Sequence, residues 1–491
     1  MTNYLLLSFM FGLNVHVKSS CRRKVKMRTY RIRFETALLT VMVVMVFAIC
    51  GPSRAAVLVV APDTPDHQAN EPYDTWENAA TNIQTAVTYA EANALTEVWV
   101  SNGWYLLPGV VTVKKGITLR SYAEGRIDKA NTVIDGNNTT RGFTLDHTDA
   151  ILDGFTVTNC YQGAFGAAVY MNKGGIVRNC DFAFNHQLTG KTWYGGTVYM
   201  EGGVVENCLF RENRVGGYGG GIAMRSGTML VTNCTFIGNS ASSSGGGVSS
   251  IGGIGHIVDC VFSNNFSQRG GGYSASPYYA ATALVDRCVF DSNITTNDGS
   301  SGSSARGGGA VQLASKATVC LRNCLLMRNR ALNIRGGGIF LSYATNSWVE
   351  NCTIVSNYSQ YQGGGIAVTG GDSSVGFRNT IIYDNWSDAA GYADVAANAI
   401  NLTWTNNCVG TTINLNDYGA GNLLQVDPKF VNPAANDWHL LPTSPCANKG
   451  DTLDWMTTAK DLDGGKRVRY DVVDMGCYET AMRFGTVLCV R

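Results

Sequence analysis

The segment VTNCTFIGNSASSSGGGVSS (231–250) contains, in twenty residues, a pattern that recurs along most of this chain. Aligned on its first nine residues, the copies are VRNCDFAFN (177–185), VENCLFREN (205–213), IVDCVFSNN (257–265) and VDRCVFDSN (285–293). LRNCLLMRN (321–329), VENCTIVSN (349–357) and FRNTIIYDN (377–385) continue it. From Cys180 to Thr380 the shared position advances by 28, 26, 26, 28, 36, 28 and 28 residues. A fixed period of this size is the signature of a solenoid, in which each unit buries its apolar face against the next.

Each position has a physical role. Cys180, Cys208, Cys234, Cys260, Cys288, Cys324 and Cys352 lie two residues before Phe182, Phe210, Phe236, Phe262, Phe290, Leu326 and Ile354. Period two puts both on the inner face of a short strand. The preceding corner ends mostly in Asn (Asn179, Asn207, Asn233, Asn323, Asn351, Asn379), a residue that tolerates the left-handed conformation of a sharp turn. Five residues past the Cys stands a second Asn, from Asn185 to Asn385, and stacked coils predict an amide ladder along the axis. A glycine run follows, as in GGGIAM (219–224), GGGYSA (270–275), GGGAVQ (307–312) and GGGIFL (336–341), and starts another strand. Three short strands per repeat predict an all-β, single-stranded right-handed parallel β-helix rather than a leucine-rich repeat.

Two further stacks follow from the alignment. Asp286, Arg322, Glu350 and Arg378 alternate in sign two residues before the Cys position, which predicts a solvated charge ladder worth little to stability. The ladder cysteines are expected as small buried hydrophobes, and Cys446 and Cys477, outside the ladder, as better disulfide candidates.

The flanks divide the chain. Residues 1–55 are expected as a leader, with 27–55 as the signal: Arg28, Arg31 and Arg33, then the apolar ALLTVMVVMVFAIC (37–50), then small residues at Ser53 and Ala55. That 14-residue stretch is too short to span a bilayer as a helix. The protein is therefore expected to be secreted or at the outer cell surface, with no transmembrane span after signal cleavage. Residues 56–108 are expected as an N-terminal cap of strand and helix, because Ile83, Val87 and Ala90 fall at helical spacing. The solenoid is expected over 109–410 and a C-terminal cap of turns and short strands over 411–491.

The Phe-x-x-Asn element followed by Gly-Gly-Gly-(Ile/Val), clearest at Phe236 to Val248, resembles the repeats of polymorphic outer membrane proteins. More broadly the chain resembles pectate-lyase-like right-handed β-helix proteins of bacterial surfaces. The segments WENAATNIQTAV (76–87), DLDGGKR (461–467) and DMGCYE (474–479) look like the caps of such proteins. The resemblance implies a fold, since these are structural positions.

Function must lie where the repeat varies. Charged residues make up 15% of the chain and the net charge is +1, so no basic field points to nucleic acid. Trp193, Tyr194, Tyr218, Arg269, Arg306, Arg335, Tyr358 and Tyr361 gather around the glycine turns. Of these, Tyr218, Arg269, Arg306 and Arg335 directly precede a glycine run, which predicts one shared edge. Aromatic rings and guanidinium groups suit a carbohydrate bearing carboxylates or sulfates. The reading is adhesion or binding of an extracellular glycan or surface receptor, with no cofactor and no metal. The alternative is a polysaccharide lyase or glycoside hydrolase acting on an acidic polysaccharide, for which Ca²⁺ would be the cofactor of a lyase. Asp259 with Asp286, and the isolated Asp181 and Asp291, are its weak candidates; His147, His186 and His256 share no motif.

Overall fold

Stacking makes every strand of one coil the hydrogen-bonded neighbour of its counterpart in the next, so the repeat becomes a set of parallel sheets running along one axis. The computed structural model describes residues 57–60, 69–122, 129–187, 195–275, 281–296, 306–314, 317–370, 373–389, 394–397, 401–413, 419–469 and 471–480. The expected leader lies outside them. The fold is the expected parallel β-helix, with sheets of 13, 13, 12 and 8 strands. Among the described residues, no helix is long and apolar enough to cross a membrane.

One coil shows the design. Thr228–Thr232 belongs to the first sheet, Thr235–Ile237 to the second and Val248–Ser250 to the third. The corner between the first two is Asn233 at φ 50°, and its counterparts Asn179, Asn207 and Asn323 sit at 55°, 55° and 52°. Where the corner residue is Asp259 or Arg287 the conformation is the same, φ 55° and 51°, so the stacked neighbours impose it whatever the residue. Its backbone N–H still bonds along the axis, Asn233 N to Val258 O at 3.1 Å and Asp259 N to Asp286 O at 3.1 Å.

Three strands per coil is an undercount. Eight central coils carry a fourth, narrow sheet directly after the second Asn: His186–Gln187, Arg214–Val215, Ser240–Ala241, Phe266–Ser267, Ile294–Thr296, Arg330–Leu332, Tyr358–Ser359 and Trp386–Ser387. Strands of two or three residues are too short to show a period. A further left-handed corner precedes that Asn, occupied in turn by Phe184, Glu212, Gly238, Asn264, Ser292, Arg328, Ser356 and Asp384 at φ between 53° and 65°.

The interior follows the expected positions. Phe182, Phe210, Phe236, Phe262 and Phe290 are fully buried and stack with centroids 4.9, 4.9, 4.8 and 4.6 Å apart. The glycine run serves this stack as well as its own turn. Gly245 has φ 64°, while a Cβ on Gly247 would lie 2.6 Å from the Phe262 ring. The Asn ladder is continuous: Asn239 Nδ2 donates to Asn265 Oδ1 at 3.0 Å, Asn265 Nδ2 to Asn293 Oδ1 at 2.9 Å, and each also donates to a carbonyl of the preceding coil.

The cysteine stack is buried and reduced. Each thiol donates to the carbonyl two residues before it and to one in the preceding coil, as Cys260 does to Val258 (3.2 Å) and Val231 (3.7 Å). Desolvation raises the pKa of Cys180 through Cys324 well above the ordinary thiol value. Cys446 and Cys477 are also free thiols, packed in one buried cluster with Cys408 of the second sheet. The pairing expected for Cys446 and Cys477 is thus not formed.

At the N-terminus the helix Ile83–Ala92 buries Ile83, Ala86, Val87 and Ala90 against the first coil, starting from an Asn82 cap whose side chain accepts from Thr85 N. At the other end, Phe430, Trp438, Leu440, Cys446, Met475 and Cys477 form one cluster with Leu325, Val355, Ile381 and Cys408. The C-terminal segment therefore lies along the outer face of the second sheet over several coils. This overturns the expectation of a solvated charge ladder. Asp286 and Glu350 are 3% and 7% exposed, Arg322 bridges toward Asp286 (3.3 Å), and the Trp455 ring lies 4.3 Å from the Arg322 guanidinium. Desolvation raises the pKa of Glu350 against the pull of Arg378 and Arg322.

Candidate functional site

The strict Asn points inward, so the next residue points out, and the narrow sheet lines these next residues up. In register they are His186, Arg214, Ser240, Phe266, Ile294, Arg330, Tyr358 and Trp386. Neighbouring strands are about 4.8 Å apart, so successive side chains form one continuous row. Trp386 is 56% exposed and its ring centroid lies 5.4 Å from that of Tyr358. The Arg330 guanidinium lies over the Tyr358 ring at 5.6 Å, and the Tyr358 hydroxyl donates to Asp388 at 2.7 Å. That hydrogen bond, with burial and the Asp388 charge behind it, raises the Tyr358 pKa. Phe266 is 39% exposed, and Arg214 and Arg330 are exposed cations. At the far end of the row Tyr161 extends it, its ring 5.3 Å from His186.

The expected edge lies beside this row, in the turn between the narrow and third sheets. Arg269 and Arg335 occupy equivalent register: Gly245 N bonds to Arg269 O, and Gly308 N to Arg335 O. Arg306 does not. Gly307, not Arg306, pairs with Arg335, and Tyr273 pairs with Val311, so Gly308 is the first glycine of that turn and Ala310 takes the third position. Four small residues in GGGA left the register open by one. Tyr218 turns inward: it is 1% exposed and packs with Tyr199, Ala223 and Ile251, so it presents no face to a ligand. Tyr361 is 53% exposed, and Trp193 and Tyr194 lie outside the described residues. The row itself was missed, although its signal was in the sequence. The position after the strict Asn varies from copy to copy and includes bulky exposed side chains such as Phe266 and Trp386.

The carboxylates offered for cleavage chemistry are engaged elsewhere. Asp259 accepts from Arg287 Nε and Nη2 at 2.7 and 2.9 Å, and Asp286 from Arg287 Nη1 at 2.6 Å. Asp181 pairs with Arg211 (3.2 Å) and Asp291 with Arg328 (2.8 Å). Each is held by an arginine of the next coil or the adjoining corner. They do not fit Ca²⁺, which needs several unengaged oxygens. Among the described residues no group of three His, Cys, Asp or Glu side chains stands together as cation ligands.

The C-terminal motifs are structural. Arg467 is fully buried; its Nε meets Glu479 at 3.1 Å, and its Nη2 donates to the carbonyls of Asp474 and Gly476 at 2.8 and 2.7 Å. Asp461 accepts from Glu479 N at 3.1 Å, and Asp474 accepts from Asn448 N at 2.7 Å. His439 clamps two turns of this segment, with Asp437 at 2.6 Å on Nδ1 and Asp463 at 2.7 Å on Nε2. Burial lowers the His439 pKa, but the two carboxylates outweigh it and the net shift is upward.

No family model matches the chain, and no curated protein matches it. Among solved structures it is similar to pectate lyase Pel9A, at 14% identity over 86% of this chain and 96% of that one, with a TM-score of 0.42. It is also similar to the PL6 family alginate lyase AlyGC, at 13% identity over 76% of this chain and 54% of that one, TM-score 0.42. PfbA, a surface adhesin of Streptococcus pneumoniae, is similar at 12% identity over 69% of this chain and 92% of that one, TM-score 0.29. At these identities the likeness is one of fold alone.

Proposed function

We propose that the protein is a secreted or cell-surface rod that binds an extended acidic glycan along its narrow sheet without cleaving it. One observation carries this reading: the outward row from Arg214 to Trp386, in which Arg214, Phe266, Arg330, half-buried Tyr358 and Trp386 share one register along the axis, with Ser240 and Ile294 between them. Rings such as Trp386 and Tyr358 offer flat apolar surface to a sugar face, with little entropy lost on ordering. Arg214 and Arg330, with Arg269 and Arg335 beside them, supply charge-assisted donors for carboxylates or sulfates. The row is long and shallow, which suits a polymer rather than a small substrate.

The test is a glycan array with a parallel ultraviolet assay for unsaturated sugar products, run with and without Ca²⁺. Retention of uronate- or sulfate-bearing polymers, weakening as salt rises and with no product, is the expected result. Absence of retention overturns the proposal. Product formation replaces it with the lyase alternative.

A further inference from the structure

The ladder cysteines keep to one rung of each coil, and Cys408 steps off it. Thr380 holds the next rung after Cys352, and Asn407 the one after that. Thr380 N donates to Asn407 Oδ1, and Asn407 Nδ2 to Phe377 O, both at 3.0 Å. Cys408 therefore comes one residue late and pairs in register with Ile381, whose counterpart in the previous coil is Thr353. Alternation along the strand puts Ile382 and Val409 in the core and turns Ile381 and Cys408 outward, against the C-terminal segment.

That segment brings a second thiol to the same place. Cys408 Sγ donates to Val426 O at 3.3 Å. Two residues on, Pro428 O accepts from Ser444 Oγ at 2.6 Å, and Ser444 Oγ accepts from Cys446 N at 3.0 Å. Cys408 and Cys446 are both fully buried and pack in one cluster. The Cys446 thiol beside it, ahead of burial, raises the Cys408 pKa. Ladder thiols one coil apart have parallel side-chain vectors, which suit the disulfide dihedral poorly. Cys408 and Cys446 come from two segments packed face to face, so no register holds their side chains parallel. Cys477 is set apart from Cys408. Its N–H donates to Thr353 Oγ1 at 3.1 Å, two coils or about 10 Å back along the sheet and beyond disulfide reach.

We infer that Cys408 and Cys446 are an oxidation site: a disulfide between them fastens the C-terminal segment to the last coils of the solenoid. One thiolate attacks the disulfide of a small-molecule or enzymatic oxidant and releases one of its sulfurs as a thiol. The second thiolate then displaces the other from the mixed disulfide. The protein loses two protons and two electrons, and the oxidant's disulfide is reduced to two thiols. Both sulfurs are closed to reagents once the segment has docked, so the exchange belongs to folding, before docking covers them. Contact with such an oxidant in the organism rests on the proposed secretion; the geometry does not.

The experiment refolds the reduced full chain with a glutathione disulfide–thiol couple, alkylates it in denaturant and maps its peptides. One cross-linked pair joining Cys408 to Cys446 is expected, with the ladder cysteines and Cys477 alkylated. In limited proteolysis, reduction is expected to release the C-terminal segment about tenfold faster, and Cys446→Ala to show the fast rate with or without reductant. Alkylation of both cysteines overturns the inference, as does a bond from Cys446 to Cys477. A bond whose reduction leaves the cleavage rate unchanged overturns its fastening role. The peptide map is read on the unaltered sequence, so it decides even where the variant fails to fold. The oxidant is supplied directly, so failure here leaves secretion standing, and a chain retained in the cell would overturn secretion alone.

Discussion

Asn185 through Asn385 and His186 through Trp386 are adjacent residues in eight successive repeats, yet they obey opposite rules. The Asn side chains are fully buried except the last, at 3%, and each donates and accepts along the axis. No other side chain fits that position, because none offers one amide donor group and one carbonyl acceptor in that geometry. The next residue turns outward and carries no stacking obligation, so it is His, Arg, Ser, Phe, Ile, Arg, Tyr and Trp in turn. Strict repetition in a solenoid therefore marks the frame, and variation at a fixed repeat position marks side chains released from it.

Breaking the inner member should cost most. In Asn265→Leu the bonds from Asn265 Nδ2 to Asn293 Oδ1 and Phe236 O (both 2.9 Å) vanish, and Asn239 loses the acceptor for its backbone and side-chain donors (both 3.0 Å). Leaving several buried groups unsatisfied predicts a loss above about 3 kcal/mol, read from the midpoint of denaturant unfolding. A loss of about 0.5 kcal/mol or less, the range of surface substitutions, would show that the ladder is decorative.

The ladder ends on a carboxylate, which sharpens the same contrast through pH. Asp394 Oδ1 accepts from Asn385 N (2.9 Å) and Nδ2 (2.8 Å), and Oδ2 accepts from Thr411 N (2.7 Å). Burial nonetheless outweighs these bonds and raises its pKa from 3.8 to about 6. A raised carboxyl pKa means the folded state binds the proton more tightly. Its contribution is fully present below about pH 4 and is lost as pH rises through about 6, for at most about 3 kcal/mol. Asp394→Asn continues the amide ladder and should flatten that part of the pH profile in thermal unfolding. An unchanged profile would assign the dependence to other groups.

How much of this was legible follows from residue chemistry. The Asn corner, the Phe stack and the Asn ladder could be read because one residue type answers one geometric demand in coil after coil. The second left-handed corner could not: Phe184, Glu212, Ser292 and Arg328 share φ near 55° only because stacked neighbours impose it. The docking of the C-terminal segment on the second sheet has no repeat behind it, so burial of Asp286 and Glu350 had no signal in spacing. For the site, Arg269 and Arg335 were placed in one row, Arg306 was displaced by a register ambiguity, and the aromatic row was hidden by its own variety.

The cysteine stack looks as strict as the Asn ladder but should prove tolerant. Thr380 occupies its next rung and reproduces the pattern, donating to Val349 O (3.2 Å) and Arg378 O (3.0 Å) as Cys352 does to Leu321 O (3.5 Å) and Glu350 O (3.3 Å). The position needs a small side chain with one donor. Cys260→Thr should therefore cost less than about 1.5 kcal/mol by the same unfolding measurement. A larger loss would mean that sulfur packing, and not hydrogen bonding, holds the stack.

The outer member should give the smallest stability effect. Trp386 is 56% exposed, and its ring contact is with Tyr358 on the same surface, so Trp386→Ala removes little buried area. The unfolding midpoint should move by about 0.5 kcal/mol or less. Retention of an acidic polymer should nevertheless fall several-fold, since stacking on an exposed ring is the contact the fold leaves available and does not use itself. Stability and binding would then separate at neighbouring residues: Asn385 holds the coil, and Trp386 faces what the coil was built to meet. If stability fell and retention did not, Trp386 would belong to the frame, and the argument from variation at that repeat position would fail with it.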